Sequence, residues 1–482
     1  MTVRLQTSWI LSLSLLATSC DRCSLFRRGP PQAISSTRPV EVAPMRPIPD
    51  AAISEPHADL VCEREAVIHV DDASMGIHVT DVTDLAVASG EDEAVITFAI
   101  SGKLGCDQDG CFAYHEIHGV RFNPHDLVTR PVTSDWLEAA ARNLPAGADR
   151  RGLPASTAGI SPTADASPFV LRGRPLILTQ GHAGAAAMVE PGTDPPDTMY
   201  VIGSGFFQRS LKWFSGRYAS QGFGEMGLAV GTGVERIESP GLIGPPSVRV
   251  FRLRLESPPV GELVEKAVDK SEVGAEPGAE SGVSFDGPSV DISAEHAAIA
   301  YRRNERRAGA VKKIASRILL AWVDPETGRP LGPSKSVAEG DVGAPTVFLQ
   351  GTAMYAVWAM RRGDAAYRLR YVRWEAGQPD PEYARDVSGP TESAFSPSAA
   401  LVGGRIALAW VVGVGSATSG AIYSGLGADI EEAASRAVRR SPSDVSHALD
   451  PKWAVADHRV LLVWSEHERL SRIRLLACIA PG

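Results

Sequence analysis

The densest cluster of side chains that could do chemistry lies between Cys106 and Asp126, in the stretch CDQDGCFAYHEIHGVRFNPHD. Its histidines raise the question of a metal ion, because imidazole is a common zinc ligand. A zinc-binding helix carries two histidines four positions apart, which places both on one side. His115 and His118 are three positions apart, in a stretch with strand character that points them to opposite faces. We therefore predict no metal site and interpret CDQDGC as a disulfide-closed turn.

The remaining sequence carries no motif for a nucleophile or a phosphate. It has neither the G-x-S-x-G elbow of serine hydrolases nor the glycine-rich loop G-x-x-x-x-G-K-[ST]. A pair of glycosidase carboxylates remains open, because the fold sets their distance and the 57 acidic residues offer many pairs. The second half is rich in arginine, with Arg302, Arg303, Arg306, Arg307, Arg361, Arg362, Arg368, Arg370 and Arg373. We interpret most of these as solvated strand edges. We predict no catalytic residue and no cofactor.

The composition indicates many short strands. The chain has 46 glycines and 35 prolines among 482 residues, yet 44% of its residues are hydrophobic, which is enough for a core. Its formal net charge of −9 excludes a nucleic-acid partner, since such a surface needs basic side chains to neutralise phosphates.

A repeat in the second half gives the elements their order. Four segments start with proline and reach an aromatic residue thirteen positions later: Pro288 to Tyr301, Pro345 to Trp358, Pro397 to Trp410 and Pro451 to Trp464. The aromatic residues recur after 57, 52 and 54 residues. Each segment is an apolar stretch, a short polar turn and a second apolar stretch, which is typical of a β-hairpin.

A third strand follows each hairpin, and a fourth, more polar strand is expected to lead to the next proline, so that a full unit has four strands. Units of this size and strand number predict an all-β chain folded as a β-propeller. We predict seven four-stranded blades in residues 61–482, with six and eight as alternatives. The clearest blades are 285–340, 341–393, 394–446 and 447–482. The last shows three strands, so a strand near residues 66–70 completes it.

We assign Tyr301, Trp358, Trp410 and Trp464 to packing between blades, because each blade must cover both of its faces. An inner ring of tryptophans that binds a sugar or a quinone is the alternative. Two Ala-rich patches, 134–144 and 429–438, predict short helices in loops, and Asp429 with Glu432 has the spacing of a helix start.

The cysteine positions fit an oxidising compartment. We predict that Cys62 near the start of the folded part pairs with Cys478, which fastens the two ends of a circular fold. Cys106 pairs with Cys111 across the turn, and Cys23 is free. Spacing alone does not fix this connectivity.

The amino terminus has the features of an export signal. An apolar run from Ser8 to Ala17 is too short to span a bilayer and is followed by the sequence ATSC. This ending resembles the lipobox of bacterial lipoproteins, which implies that the signal is residues 1–19 and that Cys20 carries the lipid. Here leucine lies four residues before the cysteine, whereas the common pattern has it three before. The alternative is a simple cleaved signal.

Residues 20–60 are rich in proline and predict an extended linker. The resemblance implies a protein of the cell envelope, on its periplasmic or outer side, held to a membrane by its lipid. We expect a monomer. We expect a non-catalytic binding or scaffold module for a protein or glycan partner. The alternative is a glycoside hydrolase similar to sialidases, although no Asp-box of that family is intact. WD40, kelch and quinoprotein signatures are also missing.

Overall fold

The computed structural model shows a chain built almost entirely of β-strands. It describes residues 60–70, 77–107, 110–131, 159–161, 166–181, 198–203, 206–210, 214–236, 243–254, 257–266, 282–306, 314–361, 366–387, 393–413, 420–445, 447–456, 459–467 and 471–480. The predicted signal, the linker, Cys20, Cys23 and the helix at 134–144 lie outside these residues. Across the described ranges, the one helix is Ile430–Ser435, named α1.

The strands form antiparallel units of four, which we number as blades 1–7 in chain order. Blade 1 contains β2 (Ile77–Ser89), β3 (Ala94–Asp107), β4 (Gly110–Phe122) and β5 (Thr129–Pro131), with β6 (Gly159–Ser161) also on β4. Blade 2 contains β7 (Ala166–Leu171), β8 (Arg174–Gly181), β9 (Thr198–Gly203) and β10 (Phe206–Ser210). Blade 3 contains β11 (Phe214–Phe223), β12 (Met226–Arg236), β13 (Ile243–Arg254) and β14 (Ser257–Lys266).

The second half continues the pattern. Blade 4 contains β15 (Val283–Ile292), β16 (Ala297–Arg306), β17 (Ile314–Val323) and β18 (Lys335–Val342). Blade 5 contains β19 (Thr346–Gln350), β20 (Ala353–Arg361), β21 (Arg368–Glu375) and β22 (Arg385–Asp386). Blade 6 contains β23 (Ser393–Val402), β24 (Arg405–Gly413), β25 (Ala421–Gly427), α1 and β26 (Val438–Arg439). Blades 4 and 5 are joined in one eight-stranded sheet, because β18 also pairs with β20 over two residues.

Blade 7 combines both ends of the chain. Its strands are β27 (Ala448–Ala456), β28 (Arg459–His467), β29 (Ser471–Ile479) and, from the amino-terminal side, β1 (Val61–His69). The pair β1–β29 is antiparallel, and the Cys62–Cys478 disulfide joins them. In the chain-entropy model, a bridge between residues 416 positions apart stabilises the fold by about 6 kcal/mol.

The first strands of successive blades form a closed ring. Each of β2, β7, β11, β15, β19, β23 and β27 contacts the next, and β27 contacts β2. This closure identifies the fold as a β-propeller with the first strand of each blade nearest the axis. The count of seven remains a prediction for the whole chain, because residues 132–158, 182–197 and 267–281 lie outside the described part.

A bulge in the inner strand explains the thirteen-residue spacing. In blades 4, 6 and 7 the register shifts where the proline occurs, and the residue before it has positive φ: Gly287 (55°), Ser396 (48°) and Asp450 (48°). The residue left unpaired on the second strand is Tyr301, Trp410 or Trp464. Proline fits there because a bulged residue does not need its N–H for the ladder.

Blade 1 has the same bulge without proline. Asp84 has a φ of 52°, the register shifts between Thr83 and Ala86, and the unpaired residue on the second strand is Phe98. Leu85 therefore stands where proline occurs in blades 4, 6 and 7.

The four aromatic residues of the repeat have matching environments. Each is at most 1% exposed and belongs to a core cluster that includes residues of the preceding blade: Tyr301 with Leu228 and Val230, Trp358 with Ala300, Trp410 with Val357, and Trp464 with Ala409. The core thus consists of layers between blades, each completed by one large aromatic side chain.

Candidate functional site

The best-defined polar cluster lies where blades 4 and 5 meet, at the end of the ring that carries the connections β16–β17 and β18–β19. We call this end the loop end. Six side chains form the cluster, which we name the polar network: Asp286, Arg302, Asn304, Asp341, Arg361 and Tyr367. Their elements are β15, β16, β18, β20 and the residues just before β21.

The first half of the polar network is a bidentate ion pair between side chains on neighbouring strands. Arg302 donates from Nε to Asp286 Oδ1 at 2.6 Å and from a terminal nitrogen to Oδ2 at 2.7 Å. Asn304 donates to the same Oδ2 at 2.9 Å, and Ser316 donates to Asn304 at 2.6 Å. Register places Asp286 directly opposite Arg302, so the pleat of the sheet aligns the pair.

Its second half repeats the arrangement in blade 5. Arg361 donates from Nε to Asp341 Oδ2 at 2.7 Å, and Tyr367 donates its hydroxyl to Oδ1 at 2.9 Å. The guanidinium carbon of Arg361 lies 5.0 Å from the centre of the Tyr367 ring, within cation–π distance. Burial and the hydrogen bond to Asp341 raise the pKa of Tyr367, which keeps its hydroxyl protonated as a donor.

The two halves are linked across the blade boundary. Arg302 donates a third hydrogen bond to the carbonyl of Val342, at 2.9 Å, at the end of β18. The hydrogen bond to Asp286 raises the pKa of Arg302 further, so the guanidinium is permanently charged. With two arginines and two aspartates the network is neutral. It is accessible too, since Arg302 is 27% exposed and Asp341 45%.

The arginines of this region thus differ from the solvated strand edges that the sequence predicted. Arg302 and Arg361 hold aspartates, Arg370 holds Asp386 at 2.7 Å, and Arg303 holds Glu265 at 2.7 Å. The reason is that neighbouring strands and blades place a carboxylate beside each guanidinium. Strand pairing brings Arg302 to Asp286 and Arg370 to Asp386, and contact between blades 3 and 4 brings Arg303 to Glu265.

A second ion pair joins inner strands of blades 1 and 3. Arg217 of β11 donates to Asp84 of β2 at 2.8 Å, although blade 2 lies between blades 1 and 3 in the order of the ring. Asp84 is the bulged residue of blade 1. An arginine therefore holds this inner-strand carboxylate as well.

The most buried charges lie in blade 7. Glu466 is completely buried and accepts hydrogen bonds from Arg472, from Arg474 at 2.6 Å and from the indole of Trp464 at 2.9 Å. Arg474 also pairs with Glu65 of β1. Burial lowers the pKa of Arg474 to about 10, which leaves it protonated at neutral pH. This cluster attaches the closing strand and has little contact with solvent.

The ring of tryptophans does not form a ligand cage in the described part of the chain, because all four aromatic residues of the repeat are sealed between blades. Tyr301 donates to Glu265 at 2.5 Å, as Trp464 does to Glu466. The indole nitrogens of Trp358 and Trp410 meet no acceptor among the described residues. Two positions after these tryptophans the sequence has Met360 and Val412. The matching position after Trp464 in blade 7 is Glu466, which is the acceptor for that indole.

The remaining predictions from the sequence concern the cysteine pair, the two histidines, metal binding and membrane spans. Cys106 and Cys111 are register partners on β3 and β4, and their side chains lie outside the description, so their bond remains a prediction. His115 and His118 lie on the strand β4, as expected. Within the described ranges no three His, Cys, Asp or Glu side chains group to hold a metal ion. No helix described here is long and apolar enough to cross a membrane.

Sequence reasoning missed a set of side-chain contacts that tie inner strands together. Ser289 accepts from the backbone N–H of Val347 at 3.0 Å. Ser398 accepts from that of Trp453 at 3.2 Å. Asp291 accepts from Leu349 at 2.8 Å, again across the boundary of blades 4 and 5. The signal was the residue after the repeated proline, which is serine in Pro288-Ser289 and Pro397-Ser398.

Comparisons with known proteins add a general likeness. No family model matches, and no curated protein matches. A Dyadobacter fermentans protein of unknown function aligns with 12% identity and a TM-score of 0.40, covering 88% of this chain and 99% of its own. A Penicillium chrysogenum α-L-arabinanase aligns with 10% identity and a TM-score of 0.38, covering 65% and 92%. A Trypanosoma rangeli sialidase aligns with 10% identity and a TM-score of 0.39, covering 85% and 56%. Values this low assign no activity, and the propeller fold rests on the strand order described above.

Proposed function

We propose that this chain is a lipid-tethered propeller of the cell envelope that binds a protein or glycan partner at the loop end of blades 4 and 5, without catalysing a reaction. The observation that carries the proposal is the polar network. It presents guanidinium, carboxylate, amide and phenol groups to solvent from strands that fix their positions.

A rigid surface of this kind suits recognition. The side chains are already ordered by their mutual hydrogen bonds, so a partner pays little additional entropy to engage them. Because the network is neutral and holds both donors and acceptors, it fits a partner with hydrogen-bonding groups of both types, such as a glycan or a polar protein loop.

The alternative is a propeller glycoside hydrolase, since Asp286 and Asp341 belong to one network. Such an enzyme needs one carboxyl group that donates a proton and one carboxylate that acts as base or nucleophile. Both aspartates here accept from an arginine within 2.7 Å, and Asp341 accepts from Tyr367 as well. Carboxylates whose oxygens are occupied by hydrogen bonds in this way orient neighbouring groups, which favours the binding function.

A site-specific cross-linker tests the binding surface in cells that produce the full chain. A photoreactive amino acid at Arg368, which is exposed at the loop end, is expected to capture the partner. The matched control is Tyr383, which is 95% exposed in the β21–β22 loop at the opposite end. Equal capture from both positions, or capture from Tyr383 alone, would contradict the proposed surface.

Two exposed arginines provide matched variants for the purified protein and the captured partner. Arg361→Gln removes half of an ion pair in the network and is expected to weaken binding on the order of tenfold. Arg329→Gln, at the opposite end and 72% exposed, is expected to bind normally. Hydrolysis of envelope glycans by the parent protein, lost in Asp286→Asn or Asp341→Asn, would instead establish the hydrolase.

A further inference from the structure

The bridge between the two ends of the chain occupies a specific place in the closing strand. Along β1 the register pairs Val61 with Ile479, Cys62 with Cys478, and so on to His69 with Arg472. The disulfide is therefore at the second pair, beside the point where the preceding residues enter the ring. A pull on those preceding residues reaches the bridge before it reaches the rest of β1.

The stretch next to the bridge is poorly held by other contacts. The register shifts between Cys62 and Arg64, and Glu63 and Arg64 are exposed. The strong contacts of β1 lie nearer its carboxyl end. Glu65 pairs with Arg474, and Ala66 and Ile68 are at most 4% exposed in the core between blades 7 and 1.

These positions decide how β1 responds to force. When one strand of an antiparallel pair is pulled away from its partner at one end, the hydrogen bonds between the strands break one after another. Each bond in turn then bears the whole load. A covalent bond near the loaded end stops this opening, because the load passes from one strand directly to the other. Cys478 lies in β29, whose pairing with β28 runs along its whole length.

We propose that Cys62–Cys478 is a mechanical clamp, which transfers a pull on the amino-terminal tether into β29 and keeps β1 from being peeled off the ring. The clamp rests on the tethering in the proposed function. It concerns force on the chain and not the choice of partner.

Single-molecule pulling tests the clamp on the full chain. One handle is attached at the amino terminus and the other at position 383 in blade 5, which is 95% exposed. The oxidised protein is expected to show no step before the blades unfold. After folding and then reduction in the instrument by a dithiol, which gives two electrons and two protons and becomes a disulfide, a first step is expected. Its length is roughly 50 Å, the extended chain from Cys62 to Ile77.

Controls separate the clamp from other effects. Cys23→Ser is expected to behave like the parent chain, whereas Cys62→Ser/Cys478→Ser is expected to show the first step without a reductant. Reduction after folding covers the case in which the double variant does not fold. A first step in both redox states, or in neither, would overturn the clamp. Because the experiment needs no membrane and no partner, its failure leaves the binding surface at blades 4 and 5 intact.

Discussion

At the scale of single residues, Asp291 shows how the ring uses a charge that no motif singles out. Its carboxylate accepts the N–H of Leu349 in the next blade at 2.8 Å and that of Ile292 at 2.9 Å. Burial is the larger effect and raises its pKa from 3.8 to about 6, while the two hydrogen bonds lower it. The ionised form is thus disfavoured in the folded protein, although it ties two blades together.

This pKa gives stability a defined pH dependence. Between about pH 4 and pH 6 the native state holds a proton on Asp291 that the unfolded chain has released, so the contribution of Asp291 to stability falls as pH rises. Asp291→Asn removes this titration. Relative to the parent, the variant is expected to be more stable to unfolding by about 2 kcal/mol more at pH 7.5 than at pH 4. Urea titrations at both pH values measure the difference.

A matched comparison is available at Asp324. Backbone hydrogen bonds from Thr327 and Glu326 lower its pKa, so its contribution to stability is lost as pH falls. Asp324→Asn is therefore expected to change the pH dependence with the opposite sign. A parent-minus-variant difference for Asp291→Asn that is independent of pH would contradict the assignment.

At the scale of strands and blades, the repeat in the sequence arises from one local structure, the bulge in the inner strand. Two bulged residues of the inner strand lie opposite one unpaired aromatic residue on the second strand, and this arrangement fixes the distance from proline to aromatic. Blades 2 and 3 lack the repeat because β7–β8 and β11–β12 pair without a register shift. The sequence therefore shows blades 4–7 clearly and the earlier blades weakly.

The buried charges of blade 7 provide a test at this scale. Glu466→Gln leaves Arg472 and Arg474 without their shared carboxylate in a buried site, and is expected to cost about 3–5 kcal/mol. Glu382→Gln also removes a carboxylate shared by two arginines. It is expected to cost about 0.2–1 kcal/mol, because Glu382 is 40% exposed and its partners Arg373 and Arg385 are 34% and 61% exposed. Urea titration of both variants measures the contrast. Equal losses would mean that burial of Glu466 does not set its contribution.

Prediction from sequence succeeded where the physics is local. The hairpins and the helix at Ile430–Ser435 with its Asp429 cap follow from local spacing. The Cys62–Cys478 bridge is not local, and it followed instead from the need of a circular fold to join its two ends. The polar network could not be predicted in this way. Asp286 and Asp341 lie on strands that come close because of the way blades 4 and 5 are arranged around the axis. The residues next to them in the sequence do not indicate this arrangement.

At the scale of the whole molecule, the proposed lipid anchor would hold the ring at a membrane. The lipobox-like sequence implies that Cys20 carries acyl chains, each buried methylene of which contributes about 0.8 kcal/mol to membrane binding. Cys20→Ala is expected to release the protein from the membrane fraction, while its Tm stays unchanged. Cys23→Ser is the matched control and is expected to stay with membranes. Retention of Cys20→Ala at the parent level would contradict lipidation.

The strand order also has a consequence for biosynthesis. Since β1 is made first and its partner β29 last, the two cysteines are separated by 416 residues, which a ribosome takes about 20–80 s to add. Throughout that interval the nascent segment carries Ala66 and Ile68 without the layer that later covers them. Export before the ring is complete would let a periplasmic or extracellular oxidant seal it only after the final residues have arrived.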